Sequence, residues 1–243
     1  ARITKKSFDR WSKVKGFSDS IFGLIDKAYS QNSETNFYLD KLNVRNIKSI
    51  GNLKFIENDN LKADKADEKI FSQFKKYKTF IAASTHESEE LFAARTHILL
   101  NKKNKNIITI IIPRHINRVG QIISEISELG LKVVTRSSNK VELKNIDIFI
   151  VDTFGESEKF YKFATTVFLG KSIVKGGGQN PLEPARFGAK ILHGPGVSNF
   201  KDIYKYLKQL KISSEVNSPK KCANSVIFKK NMKKVKKMKY LGS

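Results

Sequence analysis

The seven residues from Asn106 to Ile112 read NIITIII. A run with no alternation between apolar and polar positions has no face to offer water. Its β-branched side chains suit a pleated strand, and burial on both faces marks a parallel sheet covered by helices above and below. Working outward, similar short runs recur with helical patterns between them. Before the run, TFIAA (Thr79 to Ala83) reads as a buried strand, followed by a helix over Glu87 to Leu100 with Leu91, Ala94 and Ile98 on one face. After it comes a helix over Val119 to Leu129, with Gly130 placed to end it, and then a short strand over Lys132 to Thr135. IDIFIV (Ile146 to Val151) is the next strand, with a helix around Ser157 to Phe163. Thr166 to Leu169 and Ala189 to Leu192 complete the strands, with helices over Pro181 to Phe187 and Asn199 to Leu210. Strand–helix alternation at this spacing predicts an α/β fold, a Rossmann-like parallel sheet over about residues 75–212.

The flanks read differently. Phe17 to Ala28 is helical, and Ile47 to Phe55 (IKSIGNLKF) contains a short strand, which is too little for a second core. Lys62 to Lys78 is a charged helical stretch or linker leading into the sheet. The first 55 residues therefore look like the end of another domain. Beyond 212 the chain becomes a lysine-rich tail with Lys220, Lys221, Lys229, Lys230, Lys233, Lys234, Lys236, Lys237 and Lys239. The expected organisation is 1–55, 56–212 and 213–243.

Composition narrows the function. The formal charge is +23 over 243 residues, mostly from lysine, which draws phosphates loosely rather than reading bases. No helix-turn-helix, zinc finger or aromatic RNA-binding motif is present, so no specific nucleic-acid partner is expected. An anionic membrane surface is one candidate partner, each basic residue near it contributing about 1 kcal/mol; a solvated tail is the other reading. No run reaches the roughly 18 apolar residues of a membrane span. One cysteine and four histidines give neither a disulfide nor zinc spacing, and no metal site is expected.

In parallel α/β sheets ligands bind beyond the carboxyl ends of the strands. There lie Ser84-Thr85-His86-Glu87, Pro113-Arg114-His115, Asp152 to Glu156 (DTFGE), and the stretch from Gly170 through GGGQNPLEPA, Gly176 to Ala185. Gly176, Gly177 and Gly178 suit a close backbone approach to a ligand ahead of a helix start. Pro181 fits the first helical turn. Arg114 suits a phosphate, Glu183 a ribose, and the backbone of Phe154 to Glu156 a pyrimidine edge. Plainer readings stand beside these: a tight turn for the glycines, helix N-caps for Ser84, Thr85 and Asp152, structural roles for His86 and His115, and a surface charge for Lys54.

Taken together the strings resemble the Kdo transferases, which move 3-deoxy-D-manno-oct-2-ulosonic acid from CMP-Kdo to a lipid A precursor. The family's ASTHEGEE is similar to Ala83 to Glu90 (ASTHESEE), and PRHPER to Pro113 to Arg118 (PRHINR). DTMGE is similar to Asp152 to Glu156, GGHNPLEPA to Gly177 to Ala185 (GGQNPLEPA), and GPHxxNF to Gly194 to Phe200 (GPGVSNF). Upstream, ARISxRSFxRW is similar to Ala1 to Trp11, and GNLKFD to Gly51 to Phe55. Departures include Ser88, Phe154 and Gln179, where the family has Gly, Met and His.

The resemblance implies a GT-B fold, with residues 56–212 as the CMP-binding domain. It places CMP contacts on Pro113, Arg114, Phe154, Gly155, Glu156, Asn180, Pro181, Leu182 and Glu183. Lys54 becomes the cation that steadies the leaving CMP. CMP-Kdo is the donor, a lipid A precursor the acceptor, and no cofactor is implied. The work belongs to lipopolysaccharide synthesis, peripherally at the cytoplasmic face of a bacterial inner membrane. The family's general base lies in a first half that finds no match here. The expectation is therefore a truncated or split enzyme, inactive alone, with a separately encoded N-terminal half as a candidate partner; the alternatives are a non-catalytic CMP-binding remnant and a basic polyanion-binding protein on a Rossmann-like fold.

Overall fold

The computed structural model describes residues 1, 3–30, 33–49, 65–138, 142–174 and 176–229. The chain divides into two units, Ala1–Asn60 and Leu61–Ser243. The first contains α1 (Lys5–Ser12), α2 (Lys15–Phe22), β1 (Ala28–Ser30), α3 (Ser33–Lys41) and β2 (Ile47–Ser49). Thr4 caps α1, accepting a hydrogen bond from the Ser7 N–H at 3.3 Å. β1 and β2 pair in parallel, and Ala28, Leu39 and Val44 form a small core beneath them. The helix expected over Phe17 to Ala28 ends at Phe22, and Ala28 opens a strand instead. Lys54 and the rest of the Gly51 to Phe55 string lie outside the described residues.

The second unit is a parallel sheet with helices on both faces. Its elements in chain order are α4 (Lys65–Phe74), β3 (Lys78–Thr85), α5 (Glu89–Asn101), β4 (Ile107–Pro113), α6 (Val119–Ser127), β5 (Val133–Thr135), β6 (Ile148–Ile150), α7 (Ser157–Tyr161), β7 (Thr166–Leu169), α8 (Leu182–Arg186), β8 (Lys190–His193), α9 (Lys201–Gln209), β9 (Ser213–Glu215) and α10 (Pro219–Ser225). The seven strands run in the order β5-β6-β4-β3-β7-β8-β9, and every pairing is parallel.

The isoleucine run behaves as its pattern demands. Ile108, Ile110 and Ile112 pack on the face covered by α4, α7, α8 and α9, with Phe71, Phe74, Phe160 and Leu207 against the sheet. Ile107 and Ile111 pack on the opposite face under α5, α6 and α10, with Phe92, Ile122, Ile126 and Cys222. Burial of each isoleucine contributes about 1.5–3 kcal/mol, so this central strand anchors both layers. Thr109 is the polar residue in the run, and its hydroxyl is satisfied by His97 Nδ1 at 3.0 Å.

The sheet continues past residue 212. β9 pairs with β8, and α10 covers the second face, so residues 213–229 belong to the folded unit rather than to a tail. Ser218 caps α10 and Pro219 occupies its first turn. Among the described residues no helix is long and apolar enough to cross a membrane.

Candidate functional site

The strand order reverses between β3 and β7, and it is beyond the carboxyl ends at such a reversal that sheets of this class take their ligands. Side chains tie neighbouring loops together along that edge. At the reversal, Glu89 of α5 is fully buried and accepts four backbone N–H groups. His86 and Lys171 donate to Oε2 at 3.0 and 2.6 Å, and Ser172 and Ile173 to Oε1, each at 2.9 Å. Three non-glycine residues take left-handed backbone here: Ser84 (φ 53°), Ser88 (φ 71°) and Lys171 (φ 56°). Such conformations persist only where surrounding contacts over-determine them.

Ser84 and Thr85 are therefore not the N-caps. A bulge at the end of β3 delays the helix, and Ser88 takes the cap position of α5 without a side-chain hydrogen bond. Asp152 does not cap α7 either. Its carboxylate accepts from the backbone N–H of Ser137 at 2.9 Å and from the Ser137 hydroxyl, while Glu156 occupies the α7 cap position.

The loop after β4 joins the one after β3 through the Arg114 N–H, which donates to the Thr85 carbonyl at 2.9 Å. Pro113 is buried at the strand end and the Arg114 side chain is exposed. His86 and His115 meet edge to face with ring centroids 5.5 Å apart. His86 Nδ1 lies 3.1 Å from the Ser84 carbonyl, which can only accept, so Nδ1 carries the proton and Nε2 remains a base. Burial lowers the His86 pKa, and the ring is neutral at neutral pH. Arg118 reaches Glu90 at 3.3 Å. Burial raises the Glu90 pKa, with Arg118 opposing.

In the loop after β6, Phe154 is 78% exposed and Gly155 takes φ 75° with open space where a Cβ would stand. Glu156 turns away into a cluster with the Thr153 hydroxyl, Arg136 (3.3 Å) and Lys159 (3.0 Å). Asp67 of α4, itself buried, pairs with the same two cations, meeting Lys159 at 2.8 Å. Burial, the largest influence on the Glu156 carboxyl, raises its pKa. The bonds from Thr153 and Lys159 and the Arg136 charge outweigh it and hold the group below the ordinary carboxylate value.

The glycines let loops of the protein pack closely on one another. A Cβ on Gly177 would strike the Asn199 side chain, and one on Gly176 would lie 2.8 Å from the Lys171 carbonyl. One on Gly178 would lie 3.0 Å from Val197 Cα. The cluster thus lets two loops of the protein close on each other, with the Asn199 N–H donating to Gly177 O at 2.9 Å. Beyond it, the Asn180 side chain accepts from the Leu182 N–H at 3.2 Å and Pro181 occupies the cap position of α8. Leu182 and Glu183 are half-buried in the first turn of that helix.

Comparison with known proteins shows what the chain is similar to. The family model of 3-deoxy-D-manno-octulosonic-acid transferase (kdotransferase) matches residues 1–57. The 3-deoxy-D-manno-octulosonic acid transferase of Rickettsia bellii is 31% identical over 229 residues, covering 94% of this chain and 54% of that protein. The Rickettsia prowazekii transferase is 32% identical over 242 residues, covering 98% and 52%. The chain is a relative of the Kdo transferases. It spans about half the length of the curated relatives it matches.

Among solved structures, the C-terminal CMP-Kdo binding domain of WaaA from Acinetobacter baumannii superposes with a TM-score of 0.61 at 22% identity, covering 66% of this chain and 84% of that one. A glycosyltransferase from Rickettsia africae gives 0.51 at 16% identity, covering 92% and 56%. The fold is that of the GT-B glycosyltransferases. Within this Kdo transferase relative, Glu89, Asp67, Arg136 and the Glu90–Arg118 pair were not singled out from sequence. The acidic doublet Glu89-Glu90 opening a helix was the available signal for two of them. Asp67 lies in a charged stretch that gives none.

Proposed function

We propose that this chain binds CMP-Kdo for transfer of the Kdo group to a lipid A precursor. The observation that carries the proposal is the placement of Arg114 and Phe154. The two residues occupy loops on adjacent strands at the carboxyl edge, both exposed, in a chain 31% identical to a Kdo transferase over 94% of its length. Arg114 offers a guanidinium fork to the single phosphate of CMP. Phe154 offers a face for the cytosine ring, and the open backbone at Gly155 leaves peptide groups free to read the edge of the base. Glu183, in the first turn of α8, takes the ribose hydroxyls.

In transfer, an acceptor hydroxyl oxygen bonds to the anomeric carbon of Kdo and gives its proton to a base, the bond from that carbon to the phosphate oxygen breaks, and negative charge gathers on departing CMP. Arg114 is the group in this domain that would oppose that charge, and the resemblance gives Lys54 the same role; a cation does so most strongly where water is excluded. The reaction needs no resident metal or cofactor on this reading. The basic surface is suited to hold the protein peripherally against anionic lipid at the inner face of a bacterial inner membrane.

The test is a calorimetric titration of the full chain with CMP and, in parallel, UMP. Saturable CMP binding, stronger than UMP binding, is the expected result. A chain that binds neither nucleotide would defeat the proposal.

A further inference from the structure

The N–H groups at the strand reversal are taken up by the protein itself. Lys171, with φ 56°, turns successive N–H groups to one side, and those of Lys171, Ser172 and Ile173 converge on the Glu89 carboxylate. Consecutive N–H groups arranged in this way form a nest that ordinarily takes an anion. The first turn of α5 adds its dipole, and the His86 N–H supplies a fourth donor. Gly170 makes the approach feasible, since a Cβ there would lie 2.6 Å from Glu89 Oε2 and 2.6 Å from Thr85 Cα. A glycine, a left-handed lysine and a buried glutamate thus act together to bring one carboxylate to the place where this class of sheet takes its ligands.

We infer that Glu89 is a built-in anion which makes the site selective for a nucleoside monophosphate against a nucleoside diphosphate. The inference rests on the nucleotide reading above and names what that reading leaves open, the number of phosphates accepted. A second phosphate reaching the reversal would find its N–H donors taken and a buried like charge in its way. Placing like charges together is an effective means of rejecting the wrong ligand. The same carboxylate fixes the loop from Lys171 to Ile173 before any ligand arrives. A single phosphate then has the exposed Arg114 beside it and no claim on the nest.

The experiment titrates CMP, CDP and inorganic pyrophosphate against the full chain and its Glu89→Ala variant. The native chain is expected to prefer CMP to CDP by about tenfold or more and to show no rise in Tm with pyrophosphate. Glu89→Ala is expected to lose that preference and to gain a Tm increase with pyrophosphate, whose anion takes the emptied nest. Where the variant folds only with an added anion, pyrophosphate-dependent refolding supports the assignment and refolding indifferent to pyrophosphate overturns it. Equal binding of CMP and CDP by the native chain overturns it too, as does a folded variant that keeps the preference and ignores pyrophosphate. A native chain that fails to bind CMP counts against the nucleotide reading alone, since the pyrophosphate response of the variant reports on the nest without any nucleoside.

Discussion

The two halves of the sheet's carboxyl edge are built on opposite terms. Between β3 and β7 the Glu89 carboxylate and four N–H groups satisfy one another out of contact with water. Over β4 and β6, Arg114 and Phe154 remain exposed, while on the same loops Arg118 and Glu156 are held in ion pairs and Asp152 is bound by Ser137. Motif strings that look alike in the sequence therefore divide into residues that make the frame and residues left over for a ligand. A frame residue should matter to stability first, and a ligand residue to binding alone.

The largest effect expected from that division is on Glu89. Glu89→Gln keeps the shape but turns an amide NH2 toward N–H donors, leaving buried groups unpaired. This should cost about 2–6 kcal/mol of stability, or roughly 4 °C and more in Tm for a chain of this size. Thermal unfolding measures it, and an unchanged Tm would break the comparison at its stronger side. Arg114→Ala should do the reverse. Its stability should stay within about 0.5 kcal/mol of the native chain, while CMP affinity falls by about 1.5–3 kcal/mol with the lost charged hydrogen bonds. Unfolding and calorimetry on the same preparation separate the two, and a destabilised Arg114→Ala would move that residue into the frame.

Much of the fold could be read from apolar pattern because burial on two faces leaves a plain trace. NIITIII has no polar side, and its isoleucines do divide between two helical layers. β9 left no such trace: Ser213-Ser214-Glu215 is polar and pairs by backbone alone at the edge of the sheet. At the site, positions along the edge were legible because loops after parallel strands must gather there. Roles within it were not. The Gly176 to Gly178 cluster has the same composition whether it approaches a ligand or, as here, the Asn199 loop. Ser84 and Thr85 are good capping residues, but the bulge that moves the helix start to Glu89 depends on backbone angles that no residue type announces. Asp67 acts at long range, reaching Arg136 and Lys159 across 69 and 92 positions.

The smallest expected effects sharpen the comparison through the sign of two pH responses. The ordinary value for both carboxyls is 4.5. Glu156 lies below that value in the folded chain, so its contribution to stability is present above pH 4.5 and is lost as the pH falls through its lowered pKa. Glu90 lies above it, so its contribution is present below pH 4.5 and is lost as the pH rises through its raised pKa. Glu156→Gln should flatten the acid limb of a plot of unfolding free energy against pH, and Glu90→Gln the limb above pH 4.5. Urea unfolding across an acid-to-neutral series of buffers reads both slopes. If both substitutions flatten the limb above pH 4.5, burial rather than pairing governs both carboxyls; if both flatten the acid limb, pairing does.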